Sequence, residues 1–317
     1  MDYFKIIKRA AEITWKHKST WLFGVLTAIF QGRSGFNYNF NSGNNVDLQA
    51  FPNRYQDIVE ALLSPLVLIV VALSALILMV LSIFLGFSAR AALIGMVRDV
   101  EIDGRTSIGR GFRWGWRNWL ALFGLNLAVY IPFTIFAVLV TLLLIAPAIT
   151  GFAFEKVALG VVLLILGILL LLVLLIPVGM ALALLTTLAE RFRVIEGLRV
   201  FAGIKQGYRA VRKNLGTVLL FWLIMVIVGF ALSIIFLPVT LLLLAPAAAF
   251  FFLDKLVLTL ALGIPGVIII LFLSGLLQVF TSAAWTEFFM ELTGAIPEPA
   301  IAEISAFNTG SEPVQEV

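Results

Sequence analysis

Five stretches of this chain, residues 62–87, 118–154, 157–189, 215–253 and 256–286, contain no charged side chain. That limits the fold more than any other feature. A helix needs about 20 apolar residues to cross the ~30 Å hydrocarbon core of a bilayer. Composition agrees: 62% of the 317 residues are hydrophobic and 13% charged, against roughly half and a quarter in soluble domains. With no cysteine, disulfides and thiolate metal sites are excluded.

The positive charges give the chain a sidedness. Of the 22 lysines and arginines, 18 fall in three segments, residues 5–18, 88–117 and 190–214, and only Arg33, Arg54, Lys156 and Lys255 lie between the alternate runs. Basic loops stay in the cytoplasm, so this distribution predicts six spans with both termini inside. The first would be a short, complete crossing by residues 21–30. A nucleic-acid partner would call for these bases on one solvated face, whereas here they border the membrane. The basic part of the N-terminus runs to Lys18, and "IFQGRSG" lacks a small-x-small cleavage site, so the segment is expected to stay as a membrane element. Residues 31–59 are rich in Asn and Gly, and a flexible connection and an ordered lid both remain open. The tail 295–317 carries four glutamates and no base, and is read as a disordered acidic cytoplasmic end.

The chain also repeats itself. "TLLLIAPA" at 141–148 returns as "TLLLLAPA" at 240–247, and "AERFRVIEG" at 189–197 aligns with "MVRDVEIDG" at 96–104 and "TEFFMELTG" at 286–294. The stretch "GFRWGWR" at 111–117 has a counterpart in "GIKQGYR" at 203–209. These matches divide the chain into units 1–104, 105–197 and 198–294, followed by the tail. The expected architecture is all-α: a polytopic membrane bundle of six transmembrane helices in three tandem parallel hairpin repeats. An amphipathic elbow helix precedes each repeat, the first over residues 2–18. In the elbow cassettes the bases face an anionic leaflet, the aromatic rings sit at headgroup depth, and glycines four apart permit close helix approach.

Candidate site residues are few. Arg113, Arg117, Lys205 and Arg209 are the candidates for contact with anions or lipid headgroups. Glu190 and Glu287, at matching ends of their spans, are expected to clamp helix ends by pairing with Arg191, Arg193 or an elbow arginine. Glu155-Lys156 and Asp254-Lys255 read as outer turns. No catalytic constellation is present: there is no HExxH, GxxxxGK[ST] or GxSxG, and the single histidine, His17, lies between Lys16 and Lys18. No metal or cofactor is expected. The polar residues within the spans, among them Asn126, Thr186, Thr187, Ser233, Gln278, Thr281 and Ser282, read as interhelical hydrogen bonders. A cavity touching Asn126, Thr186, Thr187 and Gln278 would favour translocation, and a core sealed by leucine and phenylalanine would favour a scaffold.

"IIKRAAEITWKHKSTWLFGVL", followed by the Asn/Gly-rich segment, and "LAERFRVIEGLRVFAGIKQGYRAVRKNLGTVL" resemble uncharacterised bacterial six-span membrane proteins. These are similar to the membrane domain of glycerophosphoryl diester phosphodiesterases. The resemblance covers the chain to residue 294 and carries no catalytic residues, so hydrolysis is not inferred from it. It implies a bacterial inner-membrane protein acting on or near lipids. The expected function is a non-enzymatic lipid-organising or scaffold protein, with translocation of a lipid-like or uncharged substrate as the alternative. Expected partners are anionic lipids at the cytoplasmic face, and a protein partner or a second copy of the chain.

Overall fold

The computed structural model describes residues 1–31, 65–154, 156–253 and 255–295, which are all-helical apart from short links. Five long helices, α3 (Pro65–Asp103), α4 (Ile108–Ala153), α5 (Val157–Ile195), α7 (Leu215–Phe252) and α8 (Leu256–Thr293), are long and apolar enough to cross a membrane. The chain is a multi-pass membrane protein. Three shorter helices complete it: α1 (Tyr3–Lys16), α2 (Ser19–Gln31) and α6 (Val200–Lys213). The sequence candidates Glu155 and Asp254, the segment 32–64 and the tail from 296 lie outside the described residues.

The charged stretches read as connections prove largely helical. Residues 88–103 extend α3 and 190–195 extend α5, leaving links of four residues each, 104–107 and 196–199. Charge does not end a helix; a residue free to turn left-handed does. Gly104, Gly197 and Gly294 close α3, α5 and α8 with φ of 68°, 72° and 67°. Pro132, Pro147, Pro177, Pro238, Pro246 and Pro265 all sit inside continuous helices, although each removes one backbone donor.

α6 is separated from α7 at Asn214 (φ −122°, ψ 36°), and α1 breaks at His17 (φ −103°, ψ 74°). The cassette at 111–117, expected to lie in a separate elbow helix, is simply the start of α4. The reason lies in its packing against α3. The Trp114 ring occupies the space that a side chain at Gly95 would need. Phe84 meets both Trp116 and Trp119 edge-on, at 5.5 and 5.1 Å. Both halves of the would-be elbow are held by the same neighbour, so the helix runs straight.

The core sits at the end of the bundle that carries the bases. Buried residues concentrate in 89–101 of α3, 111–129 of α4, 184–194 of α5 and 274–290 of α8, with Val218 and Phe221 of α7. Phe221 stacks on Phe288 at 4.2 Å, Trp285 closes on Phe221 edge-on at 4.9 Å, and Phe192 meets Phe289 at 4.8 Å. The helix α1 lays Ile6, Ala10 and Ile13 into this cluster and leaves Lys5 and Lys8 exposed. The helix α2 buries Phe23 against Ala89, Leu93, Met96 and Val279, but its 13 residues reach only about 20 Å.

Away from this end the helices pair through glycine. A side chain at Gly167 would lie 2.6 Å from the Leu144 carbonyl oxygen, and one at Gly266 3.1 Å from that of Leu243. These contacts bind α4 to α5 and α7 to α8. Without a hydrophobic drive between helices in lipid, such close backbone approach supplies the packing.

Candidate functional site

The two cassettes are set by their glycines. Gly115 comes close enough to Ser88 that a Cβ would lie 2.7 Å from its carbonyl oxygen, and Gly111 leaves room for Met96 and the Phe23 ring. Gly203 and Gly207 do the same against α5, at Ala189 and Leu185, with Cβ distances of 3.1–3.3 Å. This places Arg113, Arg117, Lys205 and Arg209 on the opposite, exposed sides of their helices. Because α4 and α6 touch, the four bases belong to one end of the molecule. Trp114 anchors the first cassette. Its Nε1 donates to Asp99 at 3.0 Å, and Arg117 and Arg98 lie 4.6 and 5.6 Å from its ring centre.

The two glutamates are buried; the cation beside Glu190 is not one of those expected, while Glu287 lies near Arg9 of α1. Glu190 contacts Arg90 of α3, Nη2 to Oε2 at 2.7 Å, and accepts from Asn126 Nδ2 of α4 at 2.9 Å. Arg191, the next residue along α5, turns to the other side, where it donates to the carbonyls of Thr187 at 2.6 Å and Ser282 at 3.3 Å. Arg193 caps the helix end, donating to the Gly197 and Leu198 carbonyls. Arg191, one position along the helix from Glu190, does not share its face, and Arg193, three along, is taken up by the carbonyls at the helix end, so a facing helix supplies the cation. Glu287 lies beside Glu101 and within electrostatic reach of Arg9. Arg9 itself pairs with Glu101 at 2.7 Å. Burial opposes the Arg9 cation, but the Glu101 hydrogen bond and charge outweigh it and hold its pKa above the ordinary value.

The polar side chains within the spans mostly bond back to their own helices. Thr134, Thr186, Thr187 and Ser233 each donate to the carbonyl four residues earlier. That acceptor is always within reach of a helical hydroxyl. Of the expected interhelical bonders, Asn126 makes the crossing to Glu190.

Between α2, α3, α5 and α8 lies a chamber of about 380 Å³ lined by Thr27, Arg90, Thr187, Arg191, Gln278, Thr281, Ser282 and Trp285, with Leu93 and Ile94 as its apolar wall. Arg90 also borders a second cavity of about 650 Å³, beside Asn126, Tyr130 and Phe87. Gln278, Thr281 and Trp285 are shared with a third, of about 300 Å³, which runs between α7 and α8 along Met225, Val226, Gly229 and Leu232. None of the three has a carboxylate among its lining residues. Thr186 is buried apart from them. On the basic side of the chamber, Leu188, Phe192, Phe288 and Phe289 are packed together. The two arginines of the chamber escape sequence reading because they lie at the margins of charged stretches. One signal was available: Arg90 is the only charged residue between 61 and 97. Among the described residues, no group of three or more His, Asp or Glu side chains is placed to hold a metal.

Residues 49–292 match the model of a protein family, a domain of unknown function (DUF7847). No curated protein and no solved structure matches the chain.

Proposed function

The chain belongs to that DUF7847 family, and we propose that it is a non-enzymatic protein that gathers anionic lipids around its basic end. The observation that carries this is the exposure of Arg113, Arg117, Lys205 and Arg209 at the packed end of a multi-pass bundle. Each lysine or arginine near an anionic leaflet contributes about 1 kcal/mol of attraction. On the positive-inside rule that leaflet is cytoplasmic, which puts both termini inside, and the resemblance to bacterial six-span proteins supports reading the membrane as a bacterial inner one. The aromatic seal beneath the chamber favours holding a lipid over passing one through. Translocation remains the second reading because Asn126, Thr187 and Gln278 all border cavities.

Three parallel hairpin units and a sixth crossing by α2 belong to the same proposal. Supporting them, the Gly167–Leu144 and Gly266–Leu243 approaches recur at an offset of 99, and left-handed glycines end α3, α5 and α8.

The test extracts wild type and the variant Arg113→Gln/Arg117→Gln/Lys205→Gln/Arg209→Gln from membranes with a lipid-patch-forming polymer. The co-extracted lipids are then quantified by mass spectrometry. Enrichment of phosphatidylglycerol over bulk is expected for wild type and is reduced in the variant. Equal enrichment in both would refute the proposal.

A further inference from the structure

We propose that the chamber between α2, α3, α5 and α8 is a binding site for one anionic phospholipid, with its phosphate between Arg90 and Arg191 and an acyl chain in the groove between α7 and α8. The inference rests on the reading of the protein as a lipid organiser and gives that role an internal site, separate from the exposed cassettes.

Charge sets the head. Two guanidinium groups from different helices line one partly enclosed space that no carboxylate lines. Their positions are fixed before any ligand arrives, Arg90 by Glu190 and Arg191 by the Thr187 and Ser282 carbonyls. Guanidinium suits phosphate because its planar fork offers two parallel donors. Gln278, Thr281 and Ser282 add neutral polar groups at the same wall, as a phosphodiester and its glycerol hydroxyls require. The volume of about 380 Å³ falls within the roughly 300–1,000 Å³ of small-ligand sites.

The groove selects a lipid over a free phosphate. It adjoins the chamber, with Gln278, Thr281 and Trp285 lining both, and continues along apolar residues of α7. Depth also fits. Arg191 lies about 6 Å from the basic end of α5, and Ser233, the far end of the groove, about 27 Å along α7 from its start. A lipid of the basic-side leaflet would thus enter head toward the basic end and chain toward the midplane, as it lies in the bilayer.

Gly229 provides a probe, since it lines the groove and a Cβ there meets nothing within 4 Å. The full-length protein is equilibrated with vesicles of equal phosphatidylglycerol and phosphatidylcholine. It is then stripped in mild detergent, and retained lipid is counted by native mass spectrometry. Wild type is expected to retain one phosphatidylglycerol per chain in preference to phosphatidylcholine. Arg191→Gln and Gly229→Phe should each reduce retention about tenfold or more, the scale of one charge-assisted hydrogen bond or one buried chain segment. Arg191→Lys should restore part of it. Should Arg191→Gln fail to fold, Gly229→Phe alone decides.

Retention of no lipid, indiscriminate retention of both lipids, or full retention by Gly229→Phe would overturn the site. So would displacement of the lipid by millimolar inorganic phosphate, which would make the free anion the ligand. Annular enrichment, read in polymer-extracted samples, stands or falls on its own. A lost annulus with an occupied chamber sinks the lipid-organiser reading, and the converse sinks only this site.

Discussion

Removing either partner of the Arg90–Glu190 pair should destabilise the bundle far more than removing both. Glu190 is fully buried, its Oε2 is 2.7 Å from Arg90 Nη2, and its Oε1 accepts from Asn126 at 2.9 Å. With charge centres roughly 4 Å apart and an effective dielectric of ~20, the attraction is about 4 kcal/mol. Breaking a buried pair from one side costs about 3–5 kcal/mol, because the remaining charge stays desolvated. Arg90→Met and Glu190→Leu are therefore each expected to lose about that much. The double variant removes both charges and should return to within about 1 kcal/mol of wild type, the residue being Asn126 with one acceptor fewer. Reversible unfolding in mixed SDS micelles, followed by tryptophan fluorescence, measures all four proteins in one cycle. Additive losses in the double variant would refute the coupling, and so would two single variants within experimental error of wild type.

Three further outcomes follow from the packing and the charges. Gly275→Ala puts a Cβ 2.7–2.8 Å from the Val25 backbone and should cost about 1–3 kcal/mol by overpacking, whereas Gly124→Ala meets nothing and should gain about 0.5–1 kcal/mol from reduced chain freedom; the same micelle titration reads both. Burial, then Arg9 and Lys16, hold the His17 pKa below its ordinary value of 6.5. The stability from its neutral ring is thus complete above 6.5 and lost as pH falls through the lower folded value, and His17→Asn should flatten that acid-side decline in a pH series of melting curves. Because the chain has no cysteine, single cysteines at Lys16, Arg105 and Arg212 should all react with an impermeant maleimide from one side of sealed vesicles, and those at Lys156 and Lys255 from the other.

The membrane-crossing character is legible in the sequence because a helix surrounded by lipid needs length and apolarity, with no periodicity to decode. The helix limits are harder to read. Residues 98–103 and 190–195 carry charges yet continue α3 and α5, and only the left-handed glycines behind them mark the ends. Long-range chemistry leaves the weakest trace. Arg90 and Glu190 are a hundred residues apart, and although Arg90 is the only charged residue between 61 and 97, nothing local names Glu190 as its partner. Arg191 looks like the natural partner of its neighbour until helix geometry turns it toward Ser282. The separate elbow expected before α4 fails for a similar reason, since contacts from Phe84 and Gly95 decide it and both lie on another helix.

The position of the packed core also has a mechanical meaning. Residues 69–81 of α3 are exposed along their whole length among the described residues, whereas 86–97 are held by α2, α4 and α8. Among the described residues, such a helix is a cantilever clamped at one end. Thinning or stretching of the bilayer loads the free arm, and the bending moment is greatest at the clamp. The clamp begins within a turn or two of Arg90, so strain in the far leaflet reaches the guanidinium that faces both cavities.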